Sequence, residues 1–146
     1  MRLRVLLALA ALPLGCGDYF SPTQTARRDA AVDASAPLNL CGDGDFTDRS
    51  DPSAAREVRF GGSLGMAYSP ACIRVAVGQT VRFSGAFGSH PLRPGARVGD
   101  AGAPSSPIAP TQTGDRAEFT FTNAGDFPYF CEVHGAMGMM GVVRVR

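Results

Sequence analysis

Cys131, His134 and Met139 follow one another at intervals of three and five residues within Tyr129-Phe130-Cys131-Glu132-Val133-His134-Gly135-Ala136-Met137-Gly138-Met139-Met140-Gly141. A thiolate, an imidazole and a thioether on one short, Gly-containing segment are donors for a soft or borderline metal ion. Sulfur ligands select copper(I), zinc or iron–sulfur centres, and imidazole suits copper well. One further nitrogen would complete a trigonal two-His, one-Cys site with a weak axial Met, the arrangement of an electron-transfer copper. The chain has only 2 histidines, and the second is His90, in Gly88-Ser89-His90-Pro91-Leu92. Singly, each residue has a plainer role: Cys131 as a small buried hydrophobe, His134 and His90 as loop histidines, and the methionines as flexible packing groups.

These residues must be positioned by strands, because period-two alternation is the only sustained pattern in the chain. Val58 and Phe60 alternate in Arg56-Glu57-Val58-Arg59-Phe60. Ile73, Val75 and Val77 do so before Gly78-Gln79 breaks the run. Thr80-Val81-Arg82-Phe83 and Ala117-Glu118-Phe119-Thr120-Phe121-Thr122 repeat the pattern, and Val142, Val143 and Val145 close it. Such runs, punctuated by Gly, Asn and Pro, predict half-buried antiparallel strands and an all-β, Greek-key β-sandwich over residues 41–146. Phe127, Tyr129 and Cys131 share one face of a strand, so the two rings are expected to point inward with the thiol. Residues 85–114 are rich in Gly and Pro and show almost no alternation. A loop of this length is often functional, and a short edge strand near Arg97-Val98 is its one candidate element.

Composition narrows the function. The chain has 146 residues, 45% hydrophobic and 18% charged, with a formal net charge of +1. It is long enough for one packed domain and carries no basic excess with which to neutralise nucleic-acid phosphates. Its 18 Gly and 11 Pro suit many turns and short strands. Two histidines are too few for a multinuclear copper cluster.

The N-terminus reads as an export address. Arg2 and Arg4 precede an uncharged apolar run at 5–14, which as a helix would rise about 15 Å, half of what a bilayer requires. Residues 1–15 are therefore expected to be a signal peptide. The stretch Leu12-Pro13-Leu14-Gly15-Cys16 resembles the lipobox of bacterial lipoproteins, which implies lipidation of Cys16. The alternative is ordinary secretory cleavage near residues 15–18. Residues 16–40 are poor in large apolar side chains and are expected to form a flexible tether. Export permits disulfides. Cys41 and Cys72 lie away from any histidine and are the expected pair; the alternative, a bridge to Cys131, would consume the thiol that has donor neighbours.

The spacing Cys-x-x-His-x-x-x-x-Met, preceded by Phe127-Pro128-Tyr129-Phe130 and followed by Gly141-Val142-Val143-Arg144-Val145, resembles the type 1 copper loop of cupredoxins, the plastocyanin and pseudoazurin branch in particular. The resemblance extends to the strand pair at 70–83 and covers residues 57–146. It implies an eight-stranded β-sandwich around one copper ion that cycles between Cu(I) and Cu(II). It further implies His90 as upstream ligand, Cys131 as thiolate, His134 as second imidazole and Met139 as axial thioether. One position departs from the pattern: the family commonly places Asn after the first His, with its backbone N–H donating to the copper-bound sulfur. Pro91 has no N–H to donate.

The expected function is that of an exported, membrane-tethered one-electron carrier in the periplasm or cell envelope. It would not be an enzyme, and as a monomer it would dock redox partner proteins near His134, where Gly135, Ala136, Met137, Gly138 and Met140 leave an apolar rim. The second reading is a copper chaperone or resistance protein without electron transfer, supported by the Met137, Met139, Met140 cluster, because thioethers select Cu(I).

Overall fold

A computed structural model describes residues 37–146 apart from 98, 101 and 103. The expected signal peptide at 1–15, the lipidation site Cys16 and the tether as far as residue 36 lie outside the described residues.

Among the described residues, nine strands make two sheets. The first holds β1 (Thr47–Asp48), β4 (Cys72–Val75), β9 (Met140–Val145), β8 (Gly125–Cys131) and β6 (Leu92–Pro94), in that spatial order. The second holds β3 (Tyr68–Ser69), β2 (Glu57–Phe60), β5 (Thr80–Ser84) and β7 (Arg116–Thr120). One cluster of buried side chains draws on both sheets: Val58, Val81 and Phe83 from the second, and Ile73, Val75, Tyr129, Val143 and Val145 from the first. This is a β-sandwich, as the alternation predicts, and each of these fully buried side chains contributes about 1.5–3 kcal/mol of burial.

Three features differ from the sequence-based expectation. There are nine strands among the described residues rather than eight, because short segments at Thr47–Asp48 and Tyr68–Ser69 extend the edges of the sheets. The pairings β1·β4, β2·β5 and β4·β9 are parallel, whereas purely antiparallel strands were expected. The chain crosses between sheets, so sheet neighbours need not be chain neighbours. Finally, the edge strand of the long loop lies at Leu92–Pro94 rather than near Arg97. It pairs with Pro94↔Tyr129 and Leu92↔Cys131 at the end of the five-stranded sheet, where a proline costs no ladder bond on the solvent side.

The long loop is no surface excursion. Phe87, Leu92 and Ile108 are buried in the shared core, and Leu92 and Thr111 exchange backbone hydrogen bonds of 2.8 and 3.0 Å. The start of the domain also reaches into residues assigned to the tether: Leu38 and Cys41 close a turn, and Asn39 is buried. Cys41 and Cys72 form a disulfide with 5.7 Å between their Cα atoms. Cys131 is a buried free thiol.

Candidate metal centre

The sandwich brings its chemistry to one end. Strand β8 carries Cys131 as its last residue, and the chain returns as β9 from Met140. Between them a single turn of 3-10 helix, Gly135–Met137, follows His134 and ends at Gly138, whose φ of 95° suits glycine far better than a residue with a side chain. The His134 carbonyl accepts from the N–H groups of Met137 (2.9 Å) and Met139 (3.2 Å), and the Cys131 N–H donates to the Met139 carbonyl at 2.9 Å. The loop is thus knotted on His134 and closed across its base. Cys131 and Met139 stand opposite each other there, both fully buried.

His90 comes from the other side. Its N–H donates to the Ala86 carbonyl at 3.1 Å, which turns the chain just before β6. Its ring meets Phe60 edge-on with centroids 6.0 Å apart, and Gly61 leaves room for it: a Cβ there would lie 3.4 Å from His90 Cδ2. The two loops are joined by the Glu132 N–H, which donates to the Pro91 carbonyl at 2.8 Å. They are also joined by Arg93, whose Nε and Nη2 donate to the Glu132 carboxylate at 2.9 and 3.0 Å.

The result is that donor atoms of His90, Cys131 and His134 lie within 4.8 Å of one another. Nδ1 of His90 is 3.1 Å from Nδ1 of His134, which is 3.4 Å from Cys131 Sγ. Donors sharing one ion lie about 3–4 Å apart, since metal–nitrogen and metal–sulfur bonds run near 2.0–2.3 Å. The donor set therefore fits a single soft or borderline metal ion. Both histidines face the cluster with the same nitrogen, and both are only partly buried. Burial, and to a lesser degree the neighbouring His134, lowers the pKa of His90, which keeps its ring neutral and its lone pair free to bind metal.

Each residue singled out in the sequence can be placed. His90, Cys131 and His134 converge, Met139 is buried in the same core as Cys131, and Phe127 and Tyr129 are buried beside them. Ala136, Met137 and Gly138 are exposed, while Gly135 is buried rather than on the rim, and Met140 is half-buried. Sequence reasoning missed Tyr68, whose ring meets Tyr129 edge-on at 5.0 Å and whose buried hydroxyl has no hydrogen-bond partner. It also missed Asn39, which carried no signal in a segment read as part of the tether.

A β-sandwich with these donors at one end defines a cupredoxin, and the wider comparison agrees. The model of the copper binding proteins of the plastocyanin/azurin family matches residues 56–146, and the chain belongs to that family of copper proteins. It is 35% identical over 111 residues to halocyanin from Natronomonas pharaonis, in an alignment that covers 71% of this chain; the chain spans 63% of the length of that relative. Among solved structures, an oxidized amicyanin mutant aligns with a TM-score of 0.47 at 25% identity, over 63% of this chain and 82% of that one. Oxidized plastocyanin from Dryopteris crassirhizoma aligns with a TM-score of 0.45 at 18% identity, over 62% and 99%. No helix among the described residues is long and apolar enough to cross a membrane.

Proposed function

We propose that this chain is a one-electron carrier in which His90, Cys131, His134 and Met139 hold a type 1 copper ion. The observation that carries the reading is the convergence of two imidazole Nδ1 atoms and a buried thiol within 4.8 Å, beside a buried thioether. Copper, when bound, supplies a Cu(I)/Cu(II) couple. The protein's part is to hold the donors still: the loop is fixed through the His134 carbonyl, the Cys131–Met139 pair closes its base, and Glu132 and Arg93 fasten it to the His90 side. Donors that do not move between oxidation states keep the reorganisation cost low. The core aromatics behind Cys131 exclude water, and the partly exposed His134 edge is the route for the electron. Around that edge Val133, Met137 and Leu40 are 59%, 61% and 65% exposed, an apolar rim against which a redox partner docks. The carrier makes no covalent change to a substrate and works as a monomer. It is exported by residues 1–15 to the periplasm or cell envelope and held to a membrane by a lipid on Cys16, with the polar stretch after Cys16 as its leash.

The test is the visible absorption and EPR spectrum of the copper-loaded chain. It should show an intense thiolate-to-copper band that bleaches and returns on reduction and reoxidation. Cys131→Ser should abolish the band and leave a folded protein; a variant that stays equally blue refutes the ligand set. The exposed thioether of Met137 favours one second reading, in which the chain stores or delivers Cu(I). That protein would be colourless and would hand its copper to an acceptor.

A further inference from the structure

We propose that Asn39 is a positioning residue for the metal loop, delivered to it by a strained turn that the Cys41–Cys72 bridge holds in place. The side-chain amide of Asn39 donates to three backbone carbonyls: Tyr129 at 2.9 Å, Gly95 at 3.1 Å and Gly141 at 3.2 Å. Tyr129 lies two residues before Cys131, and Gly141 two residues after Met139. Gly95 directly follows β6, the strand that His90 leads into. Tyr129 and Gly141 face each other across β8 and β9, and Pro94 faces Tyr129 across β6 and β8. One amide thus fastens the backbone behind all three arms of the donor set. The acceptors fix the amide's orientation, because turning it over would set its oxygen against three carbonyl oxygens.

The segment accepts unfavourable features to put that amide there. Asn39 and Leu40 both have positive φ, 47° and 66°, in a turn closed by the Cys41 N–H donating to the Leu38 carbonyl at 2.8 Å. Two successive left-handed residues suit Asn-Gly, and leucine is poorly fitted to the second place. The side-chain oxygen of Asn39, Oδ1, is buried without a partner. Such features persist where the surroundings over-determine them, and the surroundings here are specific. Cys41 is bonded to Cys72, whose register partner in β9 is Val142, next to Gly141. Leu40 Cδ1 lies 3.8 Å from where a Cβ of Gly138 would sit, against the metal loop itself. The hook therefore crosses β4, β9 and β8 and ends beside the residue that follows β6. Asn39 thus fastens the backbone around the donors from the opposite end of the sequence.

This inference rests on the copper reading for its consequence but not for its test. Asn39→Gly keeps a turn that tolerates positive φ and removes the amide; Leu40→Gly relieves the turn and keeps the amide. Hydrogen exchange on the whole chain, with and without copper, reads the Cys131 and Met139 amides against the Phe83 amide of the other sheet. Asn39→Gly should speed exchange at Cys131 and Met139 at least tenfold and leave Phe83 unchanged, and in the copper-loaded chain it should shift the EPR spectrum and the reduction potential. Leu40→Gly, which gives up the leucine's contact with the loop and keeps the amide, should speed exchange at Cys131 and Met139 far less than Asn39→Gly does. Should Asn39→Gly fail to fold, Asn39→Ser, with one shorter donor, takes its place in the same comparison. Unchanged exchange at Cys131 and Met139 overturns the proposal, and so does equal acceleration at Phe83, which would make Asn39 a general stabiliser. If the unsubstituted chain gives no blue band, the copper reading fails while the exchange result still decides the role of Asn39.

Discussion

Removing the Cys41–Cys72 bridge tests the domain's architecture most directly. The two cysteines are 31 residues apart in sequence, and closing a loop of that length withdraws about 12 cal/mol/K from the unfolded chain, or about 3.7 kcal/mol at 25 °C. For a domain of this size each kcal/mol moves the melting temperature by about 4 °C, so Cys41→Ala/Cys72→Ala should melt about 15 °C lower. Chemical unfolding followed by circular dichroism gives the free energy, and a calorimetric scan gives the temperature. Reduced, unsubstituted protein is the control for packing lost with the sulfur atoms, since Cys41 and Cys72 share a small buried cluster with Val142. The charge-transfer band should persist, because Cys131 is no part of the bridge. A loss smaller than about 2 kcal/mol, below the range for native disulfides, would refute the reasoning. The hook would then be ordered without its covalent anchor.

Pro91→Asn restores a backbone N–H next to the metal loop, where the residue 91 carbonyl already accepts from Glu132. A hydrogen bond to the thiolate draws density from sulfur and should raise the reduction potential measured by redox titration; an unchanged or lower value sinks that account. Alkaline titration tests the aromatic core. Burial raises the pKa of Tyr68, with a smaller contribution from the Cys131 charge, and burial raises that of Tyr129. Both phenols stay protonated in the folded state where the unfolded chain ionises near 10.0. Stability is therefore full below that pH and falls above it, by up to about 2.7 kcal/mol per pH unit for the pair. Tyrosinate absorbance from these two residues should rise only together with loss of circular dichroism, and independent ionisation near neutral-chain values would show the rings to be accessible.

The longer strands were legible because each has two or more alternations: Val58 and Phe60, Ile73 and Val75, Val81 and Phe83 are all buried as their spacing demands. Strands of two or three residues, β1, β3 and β6, are too short to express a period, and Pro94 argues against the last of them. Phe87, Leu92 and Ile108 were lost among glycines and prolines because each is an isolated apolar residue whose burial depends on where the chain bends. The donor cluster was readable at Cys131 and His134, where the chemistry is local, and the burial of Met139 beside them fits the same short segment. His90 followed only by counting histidines, since nothing near it in sequence marks it. Parallel pairing and the role of Asn39 depend on which segments meet across the sheet, and no local pattern encodes that.

The middle position of β9 in the five-stranded sheet, between β4 and β8, sets the order of events in the making of the protein. The central strand of that sheet is the last of the domain's strands to leave the ribosome or to emerge from any export channel. Until it arrives, β4 and β8 have no partner between them and the turn after Cys131 has only one leg. A nascent chain stalled a few residues short of Val145 would therefore present the unpaired edges of β4 and β8 to its neighbours.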